Sequence, residues 1–212
     1  DRYVVTFGTQ HSIGWRFFPA WLQAFEGAYG PFMSRLRADN LPNCIVDLKR
    51  GEVDFIISYE SAKARGLDDA PAIDSVRIGA DQLIPVSVPN TSGEPMFSLD
   101  ISSTAAIPLL GFGPQAPIAR HLEPVLEEPE VARRLQRVYE NSMAGALRIR
   151  ARDGLGLAWL PRTLVAPDLS SNQLCIAGAA HWWIELDICL HKLTDNDNRM
   201  VTNIMAFHRK IP

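Results

Sequence analysis

The polar stretch Thr-Gln-His-Ser contains the side chains best placed to bind a ligand. It follows Tyr3–Gly8, an apolar run whose β-branched and aromatic residues are typical of a buried parallel strand. Ligands of open α/β sheets bind at the carboxyl ends of strands, where helix N-termini offer N–H donors. The side chains of Thr9, Gln10, His11 and Ser12 are therefore candidates for ligand binding.

Each of these side chains also has an interpretation that needs no ligand. Thr9 or Ser12 could cap the helix that follows, and a capped N-terminus that faces a cleft can serve both purposes. His11 could bind an anion or act as a pH-sensitive contact, or it could be a surface histidine without a role.

A second group of candidates lies in the later half of the chain. Asn141 and Ser142 precede a predicted helix, so they could cap that helix or contact a ligand from the opposite side of a cleft. Met143 beside them could be an apolar wall or an oxidisable sensor. Two facing helix N-termini favour a carboxylate or another anion, so we expect a small acid. Four further candidates are expected after the ends of strands: Ser58, Tyr59, Gly113 and Gln115.

The sequence shows no pattern for metal binding or catalysis. The histidines and cysteines are scattered, without a Cys-x-x-Cys pair or paired histidines. There is no Ser-His-Asp order and no glycine-rich loop that would cradle a phosphate. Gly154-Leu155-Gly156 is too short for a dinucleotide fingerprint and ends a helix where that motif begins one. We therefore expect no metal, no cofactor and no enzymatic activity.

The three cysteines are expected to be reduced. Cys44, Cys175 and Cys189 cannot all pair within one chain. Neither Cys175 nor Cys189 lies in a basic context that would lower the pKa of its thiol, so the sequence disfavours a thiol switch. Methionine oxidation remains an alternative signal.

The composition is that of a folded globular protein. The 212 residues are 47% hydrophobic and 21% charged, with a formal net charge of −3. Domains that grip phosphates are usually basic, so we do not expect this chain to bind nucleic acid alone. No apolar run approaches the ~20 residues that span a bilayer, and no secretory leader is recognisable. Because the chain opens directly on a strand, we expect a fragment without its N-terminal part or a mature form without its leader.

The order of predicted elements indicates an α/β protein with two lobes. A β-α-β-α-β pattern is followed by a second β/α set, and parallel strands joined in this way form sheets with helices on both faces. The turn-rich stretch after residue 88 marks a boundary. The expected lobes are residues 1–88 with 176–212, and residues 89–175, joined by two crossings as in a hinged clamshell. The predicted strands are Tyr3–Gly8, Phe32–Ala38, Val53–Ser58, Val76–Pro89, Ile107–Phe112, Leu135–Tyr139, Leu155–Leu160, Gln173–Ala177 and Trp182–Leu190, and the predicted helices are one from Pro19 to Gly30, then Pro42–Arg50, Ile118–Glu127, Ala144–Arg152 and Asp195–His208.

The two glycines of the Gly-Leu-Gly stretch have a local explanation. Gly154 would follow the helix as a left-handed cap residue, and Gly156 would let the next strand pass close under that helix. Pro161 would stop the strand. We expect no ligand there. The three arginines of the preceding helix are expected to be solvated: Arg148, Arg150 and Arg152.

Five segments, in the expected order, resemble the effector-binding (regulatory) domain of LysR-type transcriptional regulators. The opening strand, polar loop and helix resemble that family's first lobe, and the Gly-Leu-Gly segment resembles the family's "aGlGia-x-lP" pattern in the second. The five segments are VTFGTQHSIGWRFFPAWLQAFEGAYG, LKRGEVDFIISY, LIPVSVPN, IPLLGFG and ENSMAGALRIRARDGLGLAWLP.

The resemblance implies a two-lobed periplasmic-binding-protein-like (type II) clamshell, each lobe a mainly parallel sheet flanked by helices. It implies a cytoplasmic bacterial transcription factor in which a small-molecule effector, a small acid or an oxidant, binds between the lobes. DNA would be bound only by an N-terminal winged helix-turn-helix domain that this chain does not contain. The domain would form a homodimer, and a tetramer at full length, without a membrane partner. The alternative is a solute-binding protein of a transport system, which shares the architecture.

Overall fold

The computed structural model describes residues 4–62, 64, 67, 72–100 and 105–209 of the chain. The chain forms two compact units. The first unit comprises residues 1–80 with 187–212, and the second unit comprises residues 81–186. The predicted lobe boundaries, after residues 88 and 175, differ from these divisions because each division falls inside a long strand rather than at a turn.

Helices and strands alternate along most of the chain, and no helix among the described residues is long and apolar enough to cross a membrane. In chain order the elements are β1 (Val4–Thr9), α1 (His11–Arg16), α2 (Phe18–Tyr29), β2 (Met33–Ala38), α3 (Leu41–Lys49), β3 (Phe55–Glu60), β4 (Ile73–Ser87), β5 (Ile107–Phe112), α4 (Ala119–Leu126), α5 (Pro129–Ala132), β6 (Leu135–Asn141), α6 (Ala144–Arg152), β7 (Ala158–Pro161), α7 (Arg162–Ser170), β8 (Cys175–Ile176), a 3₁₀ helix (Ala180–Trp182), β9 (Ile184–Leu193) and α8 (Arg199–Arg209).

The first unit follows the predicted β-α-β-α-β pattern. Strand β1 pairs in parallel with β2 on one side and with β3 on the other, and β9 lies antiparallel to β3. Phe7 of β1 stacks on Phe55 of β3, with 5.3 Å between ring centroids. The rings of Phe18 and Trp21 from α2 meet Phe7 edge-on at 5.1 and 5.6 Å. These aromatic contacts hold α2 against the sheet. The carboxyl end of β1 leads directly into α1.

The helical region after β1 is divided into two helices. The sequence predicts one helix that starts at Pro19, whereas the structure has the short α1 and then α2, with Pro19 in the first turn of α2. The predicted apolar face is present, since Phe18, Trp21 and Phe25 are the buried residues of α2.

The second unit contains two groups of strands. Strands β5 and β6 are parallel, and the C-terminal half of β4 pairs antiparallel with β7 and with β8. The predicted bounds of β5 and of α6 are confirmed to the residue. Helix α7 was not predicted, because Pro167 interrupts its sequence and one of its three buried residues is an aspartate, Asp168.

The two glycines of the Gly-Leu-Gly stretch serve different purposes. Gly154 follows the end of α6 with a φ of 75°, which confirms the predicted left-handed cap residue. A Cβ atom at Gly156 would lie 2.6 Å from the carbonyl oxygen of Pro108. The backbone N–H of Leu157 donates to that same oxygen at 2.8 Å. The close neighbour of Gly156 is therefore strand β5, and the predicted reason, a close approach to the helix, is wrong.

Candidate functional site

The hydroxyl of Thr9 lies at the carboxyl end of β1 and is already bonded. Thr9 is fully buried, and its Oγ1 donates to the carbonyl oxygen of Ile57 at 3.1 Å. The N-cap residue of α1 is Gln10, and no side-chain hydrogen bond caps that helix in the described part of the chain. Capping by Thr9 or Ser12 is therefore a wrong prediction, and the Thr9 hydroxyl instead ties β1 to β3.

The side-chain amide of Gln10 is buried without a partner. The residue is 8% exposed, and neither Nε2 nor Oε1 has a hydrogen-bond partner among the residues that the structure describes. Burying an amide in this state costs about 1–3 kcal/mol. Gln10 thus carries an unused donor and an unused acceptor at the carboxyl end of β1.

Asp39, beside the carboxyl end of β1, has a carboxylate that was not among the predicted site residues. Asp39 follows β2, and its backbone N–H donates to the carbonyl oxygen of Thr9 at 2.9 Å. The Asp39 carboxylate accepts from the backbone N–H of Asn40 at 2.6 Å and from Nδ2 of Asn43 at 3.0 Å. These hydrogen bonds, with a smaller contribution from nearby His11, lower the pKa of Asp39. The Asp39-Asn40 pair just before α3 is the sequence feature that could have predicted a carboxylate at this position.

His11 and Ser12 lie within α1 itself. His11 is exposed as the first residue of the helix, and Ser12 is half-buried as the second. His11 interacts electrostatically with the Asp39 carboxylate, so an anion bound at His11 would compete with Asp39.

Ser58 and Tyr59 lie inside strand β3 and are buried. The strand continues to Glu60, so the prediction that these two residues follow its end is wrong. Ser58 Oγ donates to Glu60 Oε1 at 3.0 Å and lies 2.9 Å from Nε2 of His191. The other imidazole nitrogen of His191 lies 2.7 Å from Oγ of Ser75. The network joins strands β3, β4 and β9 within the first unit.

This serine, histidine and glutamate do not form a catalytic triad. In a triad the carboxylate orients the imidazole from the nitrogen opposite the serine. Here Ser75 faces that nitrogen, while the Glu60 carboxylate accepts from Ser58 itself. Ser58 is also completely buried. The cluster is a buried polar link between strands.

The candidates of the second unit meet at the carboxyl ends of β5 and β6. The backbone N–H of Gly113 donates to the carbonyl oxygen of Asn141 at 3.3 Å. The Asn141 side chain accepts from the backbone N–H of Met143 at 2.9 Å and donates to the Tyr139 hydroxyl at 2.9 Å. Met143 is the N-cap residue of α6 and is 50% exposed. Two further candidates are exposed: Gln115 and Ser142.

The structure therefore brings together only some of the candidates. Thr9 and Gln10 lie at the end of β1, Ser58 lies inside β3, and Gly113 and Asn141 lie at the ends of β5 and β6. Among the described residues, no group of three or more histidine, cysteine, aspartate or glutamate side chains could hold a metal ion.

Two of the three arginines of α6 are not solvated as predicted, whereas Arg152 is exposed. Arg148 makes a two-pronged contact with the buried Asp168 carboxylate, at 2.5 and 2.8 Å. Arg150 lies over the ring of Tyr139, 4.5 Å from its centroid. Arg152 approaches Asp168 to 3.7 Å. The expectation is wrong for Arg148, because the unpredicted helix α7 brings a buried carboxylate to it, and for Arg150, whose guanidinium lies on the Tyr139 ring.

Two of the three thiols are shielded from ionisation. None of the three cysteines forms a disulfide. Burial, reinforced by the nearby charges of Asp39 and Asp47, raises the pKa of Cys44 to about 11. Burial also raises the pKa of Cys175. Because the thiolate is the reactive form, these shifts favour inert thiols.

Comparisons with known proteins point to one family. The sequence model of the LysR substrate binding domain matches residues 1–206. The HTH domain-truncated transcriptional regulator QseD of Escherichia coli O157:H7 is 27% identical over 146 residues, which are 68% of this chain and 57% of that protein. The chain therefore spans a little over half the length of this curated relative.

Two solved structures have the same fold. The regulatory domain of HypT from Salmonella typhimurium, in its apo form, has a TM-score of 0.80 at 22% identity, covering 97% of this chain and 93% of that one. Full-length HypT from the same organism, described as a hypochlorite-specific LysR-type transcriptional regulator, has a TM-score of 0.79 at 21% identity. The match covers 97% of this chain and 68% of the full-length HypT chain. The predicted fold class, an α/β periplasmic-binding-protein-like fold of type II, is confirmed.

Proposed function

The chain belongs to the LysR substrate binding domain family, and from that premise we propose that it senses a small acid through the unpaired amide of Gln10. Domains of this family are the effector-binding parts of LysR-type regulators. The family match gives no support to the alternative, a solute-binding protein of a transport system. Binding would alter the geometry of a dimer and so control transcription from DNA held by a separate N-terminal domain. Because bacterial DNA lies in the cytoplasm, we place the domain there.

The amide of Gln10 is the observation that carries this proposal. A buried amide without partners lowers stability, and a group of this kind in a native structure calls for a partner, which a bound ligand would supply. A carboxylic acid or its conjugate base can accept from Nε2, and a protonated acid or primary amide can also donate to Oε1.

The start of α1 offers hydrogen-bond donors to an acid. The first turn of α1 contains no acidic residue, so its backbone N–H groups are available to an anion. The hydroxyls of Thr9 and Ser58 are already bonded, so we expect them to shape the site rather than to supply its main contacts.

The test is a thermal-shift screen of small carboxylic acids and their primary amides on the wild-type domain and on Gln10→Leu. A ligand at one hundred times its dissociation constant stabilises the wild type by ~2.7 kcal/mol. Gln10→Leu should lose that stabilisation. The ligand-free variant should be more stable than wild type by about 1–3 kcal/mol, because an unsatisfied amide has been removed.

A matched control is Gln23→Leu, which changes an exposed glutamine on α2. It should leave both the ligand response and the melting temperature unchanged. The proposal is overturned if Gln10→Leu retains the ligand response, or if the variant is less stable than wild type.

A second candidate function is oxidant sensing through Met143. This residue is half exposed and stands at the start of α6, where a sulfoxide would add a polar group beside the backbone N–H donors. HypT, whose fold is the same, is described as hypochlorite-specific. The raised pKa values of Cys44 and Cys175 leave methionine as the better target.

Hypochlorite treatment followed by peptide mass spectrometry separates the two candidates. Oxidant sensing predicts that Met143 is oxidised before the buried Met205, and that Met143→Leu removes any hypochlorite-induced change in melting temperature. Met33, which is 52% exposed on β2, provides the matched control Met33→Leu. An equal response of wild type and Met143→Leu would exclude this candidate.

A further inference from the structure

A cavity of about 550 Å³ lies within the first unit, and none of its lining residues belongs to the candidate site described above. Helix α2, the first half of β4 and helix α8 form its walls. We propose that this cavity is a second ligand site, which takes a small planar acid with its ring against Trp21 and Phe207 and its acid group at Arg77 and Arg209. The proposal does not depend on the effector site at Gln10.

The size and the aromatic walls suit a planar molecule. Cavities that bind small ligands measure about 300–1,000 Å³. Trp21 is 7% exposed and is held in place by Phe7 and Phe18, so its ring is a fixed surface. Phe207 is half-buried on α8 and is packed edge-on against Phe25. Rigid aromatic surfaces of this kind bind flat rings by stacking or edge contacts.

The imidazole of His208 presents a neutral donor. Trp21 Nε1 lies 3.0 Å from His208 Nε2 and can only donate, so Nε2 must accept. The proton of a neutral imidazole is then on Nδ1, for which the described residues provide no acceptor. His208 is 8% exposed and lines the cavity. A ligand with an acceptor atom would complete this hydrogen bond.

Gly79 lets the ring of Phe17 pack directly on strand β4 beside the cavity. A Cβ atom at this position would lie 2.5 Å from Cε2 of Phe17. The position therefore cannot take a side chain without displacing that ring.

Two arginines supply positive charge at the cavity. Arg77 binds Asp187 through Nε at 2.5 Å, which leaves its two terminal nitrogens free of that contact. Arg209 binds Asp74 through one terminal nitrogen. Their side chains are 62% and 53% exposed, and no carboxylate is among the residues that line the cavity. Guanidinium groups held in this way can receive a carboxylate by two parallel hydrogen bonds.

Calorimetric titration of the domain with 2-naphthoate and with neutral 2-naphthamide tests the proposal. We expect 2-naphthoate to bind and the amide to bind at least tenfold more weakly, because the amide lacks the charge that the arginines recognise. Ala24→Trp fills the cavity from the exposed face of α2 and should weaken 2-naphthoate at least tenfold. Its matched control is Ala28→Trp, one turn along the same face and outside the cavity, which should bind as wild type does.

A second pair of variants tests the charge. Arg77→Gln should weaken 2-naphthoate about tenfold, whereas Arg50→Gln, an exposed arginine outside the cavity, should not. Gln10→Leu should bind 2-naphthoate as wild type does, which separates this site from the effector site. The proposal is overturned if wild type does not bind 2-naphthoate, if acid and amide bind equally, if Ala24→Trp keeps full affinity, or if Gln10→Leu abolishes binding.

Discussion

The imidazole of His208 should make the stability of the domain fall in mild acid. Burial lowers the pKa of His208 from 6.5 to about 4, and Trp21 Nε1 donates to its Nε2, which only the neutral ring can accept. Between pH 6.5 and about 4 the unfolded chain therefore binds more protons at this position than the folded chain. The contribution is complete above pH 6.5 and is lost as the pH falls through this window.

His208→Gln replaces the imidazole with a group that accepts from Trp21 but does not titrate. Relative to wild type, the variant should gain on the order of 1–3 kcal/mol of unfolding free energy between pH 7 and pH 4. Urea unfolding at several pH values measures this difference. His11→Gln, at an exposed histidine, is the control and should show no such gain. Parallel pH profiles for wild type and His208→Gln would contradict the prediction.

Neighbouring residues show how far single positions could be predicted. The polar loop after β1 was identified because a polar run after an apolar strand has a characteristic place in α/β sheets. Thr9 and Gln10 nevertheless differ in the structure. The Thr9 hydroxyl donates to the carbonyl oxygen of Ile57, 48 residues away, whereas the Gln10 amide has no partner among the described residues. Ser58 was misplaced for a similar reason, since a buried glutamate at the end of a strand has no signal in the sequence.

At the scale of elements, the ion pair of Arg148 with Asp168 joins helix α6 to helix α7 within the second unit. Asp168 is 1% exposed, so removing either partner leaves the other charge buried. Such losses cost about 3–5 kcal/mol. We expect Asp168→Ala to lower the unfolding free energy by an amount in this range.

The exposed pair of Arg37 with Glu52, 3.3 Å apart, provides the matched comparison. Glu52→Ala should change stability by at most about 1 kcal/mol. Both variants can be measured by urea unfolding. A loss of less than 1 kcal/mol for Asp168→Ala would show that Arg148 finds solvent or another partner when the carboxylate is removed.

Elements with regular periodicity were predicted well, and those without it were not. Helix α6 and strand β5 were located to the residue: β5 is a continuous apolar run that ends before Gly113 and Pro114, and α6 places apolar and arginine positions at helical spacing before Asp153 and Gly154. Strand β7 begins at Ala158, later than predicted, since the preceding residues are used for the close approach of Gly156 to Pro108. Helix α7 buries Leu164, Val165 and Asp168. Because one of these three residues is charged, the spacing of apolar residues does not reveal this buried face.

At the scale of the whole molecule, two edge strands leave apolar side chains in solvent. Strands β2 and β6 each pair on one side only within the described part of the chain. Met33 on β2 is 52% exposed, Val138 on β6 is 50% exposed, and Ile149 on α6 is 58% exposed. An unprotected edge strand can pair with another chain, and exposed apolar side chains mark interaction surfaces. They support the proposed homodimer.

Ile149→Glu should weaken self-association of the domain at least tenfold, because it places a charge in the proposed interface. Sedimentation velocity over a range of concentrations measures the effect. Val46→Glu, at a residue 44% exposed on α3, is the control and should not change the association. If the wild type is a monomer at all concentrations, or if both variants associate as wild type does, the face around Ile149 is not the interface.

The two-unit architecture followed from the order of elements, but its boundaries did not. Strands β4 and β9 are continuous where one unit ends and the other begins, so no cluster of turn residues marks the division. The turn-rich stretch after residue 88 comes at the end of β4 instead. The position of a boundary inside a strand depends on which elements pack against each half of that strand. Those contacts leave no local pattern in the sequence.

The placement of the tryptophans has a spectroscopic consequence. All five lie in the described part of the chain; Trp15 is 62% exposed, whereas Trp21, Trp159 and Trp182 are buried and Trp183 is half-buried. Trp15 belongs to α1, the helix whose N-cap residue is Gln10. Iodide, which quenches fluorescence by collision, should therefore act mainly on Trp15. Its quenching constant gives a direct optical report on whether a bound effector shields the end of β1.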